Sequence, residues 1–182
     1  MYFHNNKKNL SGFTLIELIM VIIILGTIAI SAATLFLNVQ SEAKVSKIKA
    51  ISAAMKSTSD LVYAKAIINN VVTGNMDFNG TNISVINGYI GAHWNKSWRY
   101  ALDIGKEISY TSKNSSCSKH SLCGVGQQNS APSLPFVVLS PGKVAFIWLQ
   151  GEKLADRCYA FYYNPNDVNK TSPEIGTVTS GC

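Results

Sequence analysis

From Leu18 to Leu37 the chain carries no charged residue, and one acid, Glu17, stands directly before that run. The run is about the 20 residues that an α-helix needs to cross the hydrocarbon core of a bilayer. It is apolar all round, so no single small domain can bury it. Lipid or other copies of the chain must do so. An acid at the edge of such a segment is costly, about 2.5–3.5 kcal/mol at the centre of a bilayer, and such residues usually have a partner and a role. No cation lies near Glu17 on the same predicted helix. Its partner is expected on another molecule, or as a charge created by processing.

The flanking residues point to processing. Met1 to Gly12 is short and polar, with Lys7 and Lys8 and no acid, as in the basic leader of an exported protein held on the cytoplasmic side. A secretory signal would be cut after the apolar run, where Ala29, Ser31, Ala32 and Ala33 supply small residues. The alternative cut lies before the run, after Gly12. It would create an α-amine at Phe13, with a reference pKa of about 8 and therefore largely protonated. That amine is a candidate partner for Glu17 of a neighbouring chain, cancelling two charges in an apolar setting where an unpaired charge is heavily penalised. N-methylation would leave the amine basic.

The run Gly12-Phe13-Thr14-Leu15-Ile16-Glu17 resembles the processing motif of type IV pilins and the related pseudopilins. The resemblance implies cleavage by a prepilin peptidase between Gly12 and Phe13, N-methylation of Phe13, and a role for Glu17 in setting subunit register. It also implies a pilin fold of the α+β class: one long N-terminal helix, its first half transmembrane, packed on an antiparallel β-sheet with a disulfide-bounded C-terminal loop. The expected division is a cleaved leader over 1–12, a transmembrane and filament-core helix over 13–37, and a globular domain over 38–182. Shorter matches, Phe36-Leu37-Asn38-Val39-Gln40, Leu61-Val62-Tyr63-Ala64-Lys65-Ala66, Arg157-Cys158-Tyr159 and Thr179-Ser180-Gly181-Cys182, resemble the mannose-sensitive haemagglutinin pilins of marine and aquatic bacteria. The family often carries a proline where Thr34 stands here.

Removing residues 1–12 lowers the formal charge from +6 to +4, because Lys7 and Lys8 leave without an acid. The lysines are scattered and form no dense arginine patch, so nucleic acid is not an expected partner. Four cysteines, Cys117, Cys123, Cys158 and Cys182, in a chain with an export-type leader suggest two disulfides, for which three connectivities exist. The preferred pairing is Cys117 with Cys123, closing a small loop, and Cys158 with Cys182, which matches the family's bounded C-terminal loop. His120 lies between Cys117 and Cys123, but the spacing fits no common zinc pattern.

Beyond the apolar run, Val45, Ile48, Ile51, Met55, Thr58 and Val62 recur at helical spacing, with Lys44, Lys47 and Lys56 on the remainder. Asn69-Asn70 and Thr73-Gly74 are stop signals. A single helix over 13–68 would be about 80 Å long at 1.5 Å per residue. Strands are predicted at 83–86, 106–110, 143–149, 157–163 and 174–179, with a short helix over 92–103 placing Trp94 and Trp98 in packing. Pro135–Leu139 is predicted to pair with Lys143–Leu149 through a type II turn at Pro141-Gly142. The Ser-, Asn- and Gly-rich segment 111–133 reads as an exposed loop.

These features imply a structural subunit rather than an enzyme. A subunit that adds head-to-tail without closing a ring makes a helical filament, here a homo-oligomer. The expected itinerary is inner membrane first, then an extracellular pilus. The expected partners are the prepilin peptidase, the pilus assembly machinery and a carbohydrate or abiotic surface, in adhesion and biofilm growth. The loops at 111–133 and 164–181 are candidate contact regions. The alternative is a pseudopilin of a type II secretion system, which would share the leader, the anchor and Glu17. Acids in the last third, Glu152, Asp156, Asp167 and Glu174, are too dispersed for an evident calcium site. No nucleophile elbow, zinc helix, phosphate loop or paired catalytic acids occur, and no cofactor or metal is expected.

Overall fold

A computed structural model describes residues 12–167, 169 and 172–182. Of the expected leader only Gly12 falls within these residues. Lys7 and Lys8 lie outside them. The chain divides into two compact units, Met1–Gln40 and Ser41–Cys182, and the helix α1, Leu15–Ile68, contributes to both.

In the first unit none of the described side chains of α1 is buried. Leu15–Ala32 is long and apolar enough to cross a membrane, and its side chains are exposed. Gly26 has open space where a Cβ would stand and does not interrupt the helix.

In the second unit the expected stripe is present. Ile48, Ile51, Met55, Thr58 and Val62 are buried, Ala66 extends the row, and Val45 is half-buried. The stripe shares one core with a small sheet and with one face of a larger one. The small sheet is a meander of β1 (Gly74–Phe78), β2 (Thr81–Ile86) and β3 (Tyr89–Ile90). Its turns are Asn79-Gly80 and Asn87-Gly88, all four residues at positive φ, which is the two-residue hairpin geometry that Asn-Gly favours. A π-helical turn, Trp94–Trp98, then runs into one α-turn, Arg99–Ala101 (α2), and buries both tryptophans.

The larger sheet has the order β4 (Ile108–Tyr110), β5 (Leu122–Gln128), β6 (Lys143–Leu149), β7 (Tyr159–Asn164) and β8 (Glu174–Val178). All neighbours are antiparallel except β4 and β5, which are parallel. Ala145, Ile147 and Leu149 of β6 join the core beneath α1, while Val144, Phe146 and Trp148 join a second core on the opposite face. This is why β6 reads as a continuous apolar run, as strands covered on both faces do.

Two sequence expectations are corrected. The segment 111–133 is not a loop throughout, because residues 122–128 form β5, with residues 122–126 buried. Its glycines are there for close approach. A Cβ on Gly124 would lie 2.1 Å from Trp94 Cη2, and one on Gly126 2.4 Å from the Ala92 carbonyl oxygen. Likewise, 135–139 is not a strand paired with β6, whose two flanks are taken by β5 and β7. The Ser140–Pro141 peptide is cis, and the Gly142 amide donates to the Leu139 carbonyl at 2.8 Å. The apolar residues of this segment cover the outer face instead: Phe136 lies against Phe161 and Tyr163, with ring centroids 5.5 and 4.8 Å away.

Two outcomes are expected. Gly124→Ala forces a methyl group into the Trp94 ring and should destabilise the protein by about 1–3 kcal/mol, the usual range for an overpacked core. A lowered guanidinium midpoint of the full chain in detergent checks this. The second concerns buried phenols. Tyr162 donates to the Ile90 carbonyl at 2.6 Å, and Tyr159 donates to the Pro132 carbonyl. Burial pushes the Tyr159 phenol up to about 12 and also raises that of Tyr162. An unfolded tyrosine ionises at about pH 10, so their contribution is full below pH 10 and is lost as pH rises through 12. The guanidinium midpoint should therefore fall between about pH 10 and 12, and Tyr162→Phe should flatten the fall. A midpoint independent of pH in that window would remove the argument.

Candidate functional site

The start of α1 is built by Thr14-Leu15-Ile16-Glu17. Thr14 caps the helix: its hydroxyl oxygen accepts from the Glu17 amide at 3.3 Å, and its carbonyl accepts from the Leu18 amide at 3.3 Å. Glu17 closes the arrangement in the other direction. One carboxylate oxygen, Oε2, accepts from the Thr14 amide at 2.9 Å and from the Thr14 hydroxyl at 2.9 Å. This is a reciprocal capping box, which satisfies donors that a helix start otherwise leaves open. The acid in the first turn also faces the positive end of the helix dipole.

The box fixes where the charge stands. The Thr14 amide belongs to the peptide bond joining Phe13 to Thr14, so the carboxylate is folded back toward Phe13. Phe13 is exposed, and Gly12 has no atom within 4 Å of the place a Cβ would occupy. The structure thus brings Glu17 close along the chain to the Gly12–Phe13 bond and leaves that bond accessible. Thr14 was not among the residues that sequence reasoning singled out. The signal was present, since Thr-x-x-Glu before an apolar run is a helix-start signature.

The remaining predicted residues lie in the second unit. Cys117 is bonded to Cys123, and Cys158 to Cys182. Both sulfurs of the Cys-Ser-Lys-His-Ser-Leu-Cys segment are therefore spent in one bond. The Cys123 sulfur is also approached by the hydroxyls of Ser109 and Thr111, at 3.3 and 3.1 Å. His120 Nδ1 lies 3.5 Å from a Glu107 carboxylate oxygen. The Cys158–Cys182 bond closes a segment containing β8, the edge strand beside β7. Tyr63 and Tyr89 stack with centroids 4.3 Å apart beside a cavity of about 340 Å³ also lined by Ile67, Asn70, Val72 and Asn87.

Residues 7–33 match the prokaryotic N-terminal methylation motif. The match supports a type IV pilin-like or pseudopilin subunit. It takes in Gly12, Phe13, Thr14 and Glu17 and most of the apolar run, and it implies prepilin peptidase processing and assembly. No curated protein and no solved structure matches the chain.

Thr14→Val removes the hydroxyl that holds the Glu17 carboxylate and the Glu17 amide. Loss of a helix N-cap costs about 1 kcal/mol. Amide exchange over residues 15–18, measured in micelles by NMR, should accelerate about fivefold relative to residues 22–30. Unchanged protection would show that the first turn does not depend on the box.

Proposed function

We propose that this chain is the structural subunit of a type IV pilus of the mannose-sensitive haemagglutinin kind, assembled as a helical surface filament for adhesion and biofilm growth. The observation that carries the reading is the methylation motif over residues 7–33. It runs into an apolar helix with no cover of its own. In this reading residues 1–12 are the leader, residues 13–37 the membrane and filament-core helix, and residues 38–182 the displayed domain. Prepilin peptidase cuts after Gly12, where the absence of a side chain gives a protease unobstructed access to the backbone. Phe13 is then methylated, and its amine meets Glu17 of a neighbouring subunit. That pairing supplies axial register, since two charges in an apolar core are tolerated only when matched. The subunit resides in the inner membrane before it enters the extracellular fibre.

The displayed surface is supplied by the second unit. Its two disulfides suit an oxidising exterior. Candidate contact regions are the exposed parts of 111–133, the segment 164–181, and the Tyr63–Tyr89 edge, where stacked rings beside Asn70 and Asn87 offer apolar faces and amides together.

The intact mass of protein sheared from the cell surface, before and after reduction, tests the reading. The expected species begins at Phe13 with one added methyl group and gains four hydrogens on reduction of the two disulfides. Processed protein confined to membranes would favour the pseudopilin reading. Protein that retains Met1–Gly12, or that is cut near Ala32, would end both.

A further inference from the structure

The three-stranded meander closes its two turns with the same dipeptide, Asn79-Gly80 between β1 and β2 and Asn87-Gly88 between β2 and β3. Their backbones match: Asn79 and Gly80 have φ of 52° and 79°, Asn87 and Gly88 of 53° and 80°. Their surroundings do not. Gly88 is buried, and a Cβ there would lie 3.1 Å from the Tyr63 ring. Its amide donates to the Val72 carbonyl at 2.6 Å. The Asn87 side-chain amide donates to the Asp167 carbonyl at 3.2 Å, and the Asn87 main-chain amide to the Thr73 hydroxyl at 3.2 Å. Asn79 and Gly80 are exposed, with no atom within 4 Å of the place a Gly80 Cβ would occupy. Among the described residues, neither the Asn79 side chain nor the Gly80 amide has a hydrogen-bond partner.

An asparagine followed by glycine is able to close on itself. The glycine nitrogen, once it gives up its proton to base, attacks the carbonyl carbon of the asparagine side chain. Glycine suits the attack, because it has no Cβ to crowd the nitrogen and lets the backbone rotate freely. An exposed turn tip also opens locally more readily than a packed one. We propose that Asn79 is a self-modification site, at which the Gly80 nitrogen displaces the side-chain amide to form a succinimide, while the fold holds Asn87 unreactive. The bond that forms joins Gly80 N to Asn79 Cγ. The bond that breaks joins Asn79 Cγ to Nδ2, and the leaving nitrogen carries off the proton that Gly80 lost, as ammonia. Water then opens the ring at either carbonyl. The product is aspartate in the ordinary chain, or isoaspartate, in which the main chain runs through the former side chain. Either product adds a negative charge close along the chain to Asp77, whose carboxylate lies 3.8 Å from Lys65 Nζ. Isoaspartate also lengthens the turn by a main-chain atom and disturbs the Phe78–Thr81 pairing that closes the hairpin. The β1–β2 edge thus changes with the age of the protein, whatever the chain assembles into.

Residues 66–96 carry both asparagines with no lysine or arginine before Lys96, so one tryptic peptide reports both turns. The full chain is incubated in detergent at mildly alkaline pH and digested beside an unincubated control. Electron-transfer fragmentation then locates each conversion and separates isoaspartate from aspartate. Conversion at Asn79 should run about tenfold ahead of that at Asn87, because ring closure at Asn87 must first give up the hydrogen bonds of Gly88 and of the Asn87 side chain. In guanidinium the two sites should convert equally. Equal conversion in the folded chain would overturn the proposal. A bias that persists in guanidinium would come from neighbouring sequence and would overturn the part assigned to the fold. Aspartate without isoaspartate would mean direct hydrolysis and would overturn the ring closure.

Discussion

One helix has to satisfy two incompatible surroundings. Up to Val39 the described large apolar side chains of α1 are exposed, whereas Ile48, Ile51, Met55 and Val62 further along form a buried stripe under two sheets, with Leu61, Ile67 and Ile68 left outside it. The first segment is apolar on every side and the second on one side only. Burial is worth about 25 cal/mol per Å² of apolar surface, so a bare helix of this kind is stable only where lipid or another copy covers it. The second segment needs no such help. Its stripe meets Ala145, Ile147, Ala160 and Tyr162, all within the unit beginning at Ser41.

The larger sheet of that second unit is packed on both of its faces. The face beneath α1 carries Ala145 and Ala160 together with Ile147 and Tyr162, and the other face carries Phe146, Trp148, Tyr159 and Phe161. The two alanines leave room for the helix; the other face is capped by Leu134, Phe136 and Val138 from a segment with no ladder hydrogen bonds. Both disulfides end on this sheet or beside it: Cys123 lies on β5, and Cys158 directly precedes β7. They tie down segments whose polar composition gives them little apolar area of their own.

How much of this was legible in the sequence follows from which forces act locally. The long helix, β6, β7 and β8 announce themselves through periodicity or continuous β-branched and aromatic runs. Strand β5 does not, because Gly124 and Gly126 were chosen by a contact far away in sequence: the Trp94 ring and the 92–94 backbone occupy the space where side chains would be. Pro135–Leu139 misleads in the opposite sense. Its alternation is real, with Phe136 inward and Val137 and Leu139 exposed, but alternation reports only which side is covered. It does not report whether a neighbouring strand is free to pair. At the helix start, the eye is drawn to Glu17 as an isolated charge, and Thr14 is overlooked because its role appears only when the two are read as one capping unit.

That unit bears on how assembly would proceed under the proposed function. In the single chain the Glu17 carboxylate is not bare, since it holds two donors of Thr14 through one oxygen, Oε2. On an exposed carboxylate such neutral donors compete with water and hold it only weakly. A neighbour's amine would bring a full positive charge, and leaving one member of a buried ion pair unmatched costs about 3–5 kcal/mol. Pairing with that amine is favoured once water is excluded and gains little while the helix start is wet, because surface pairs are worth about 0–1 kcal/mol. The capping box would then keep the acid in place and solvated by protein until a partner arrives. Its second carboxylate oxygen allows an amine to be added to the existing bonds, without first breaking them.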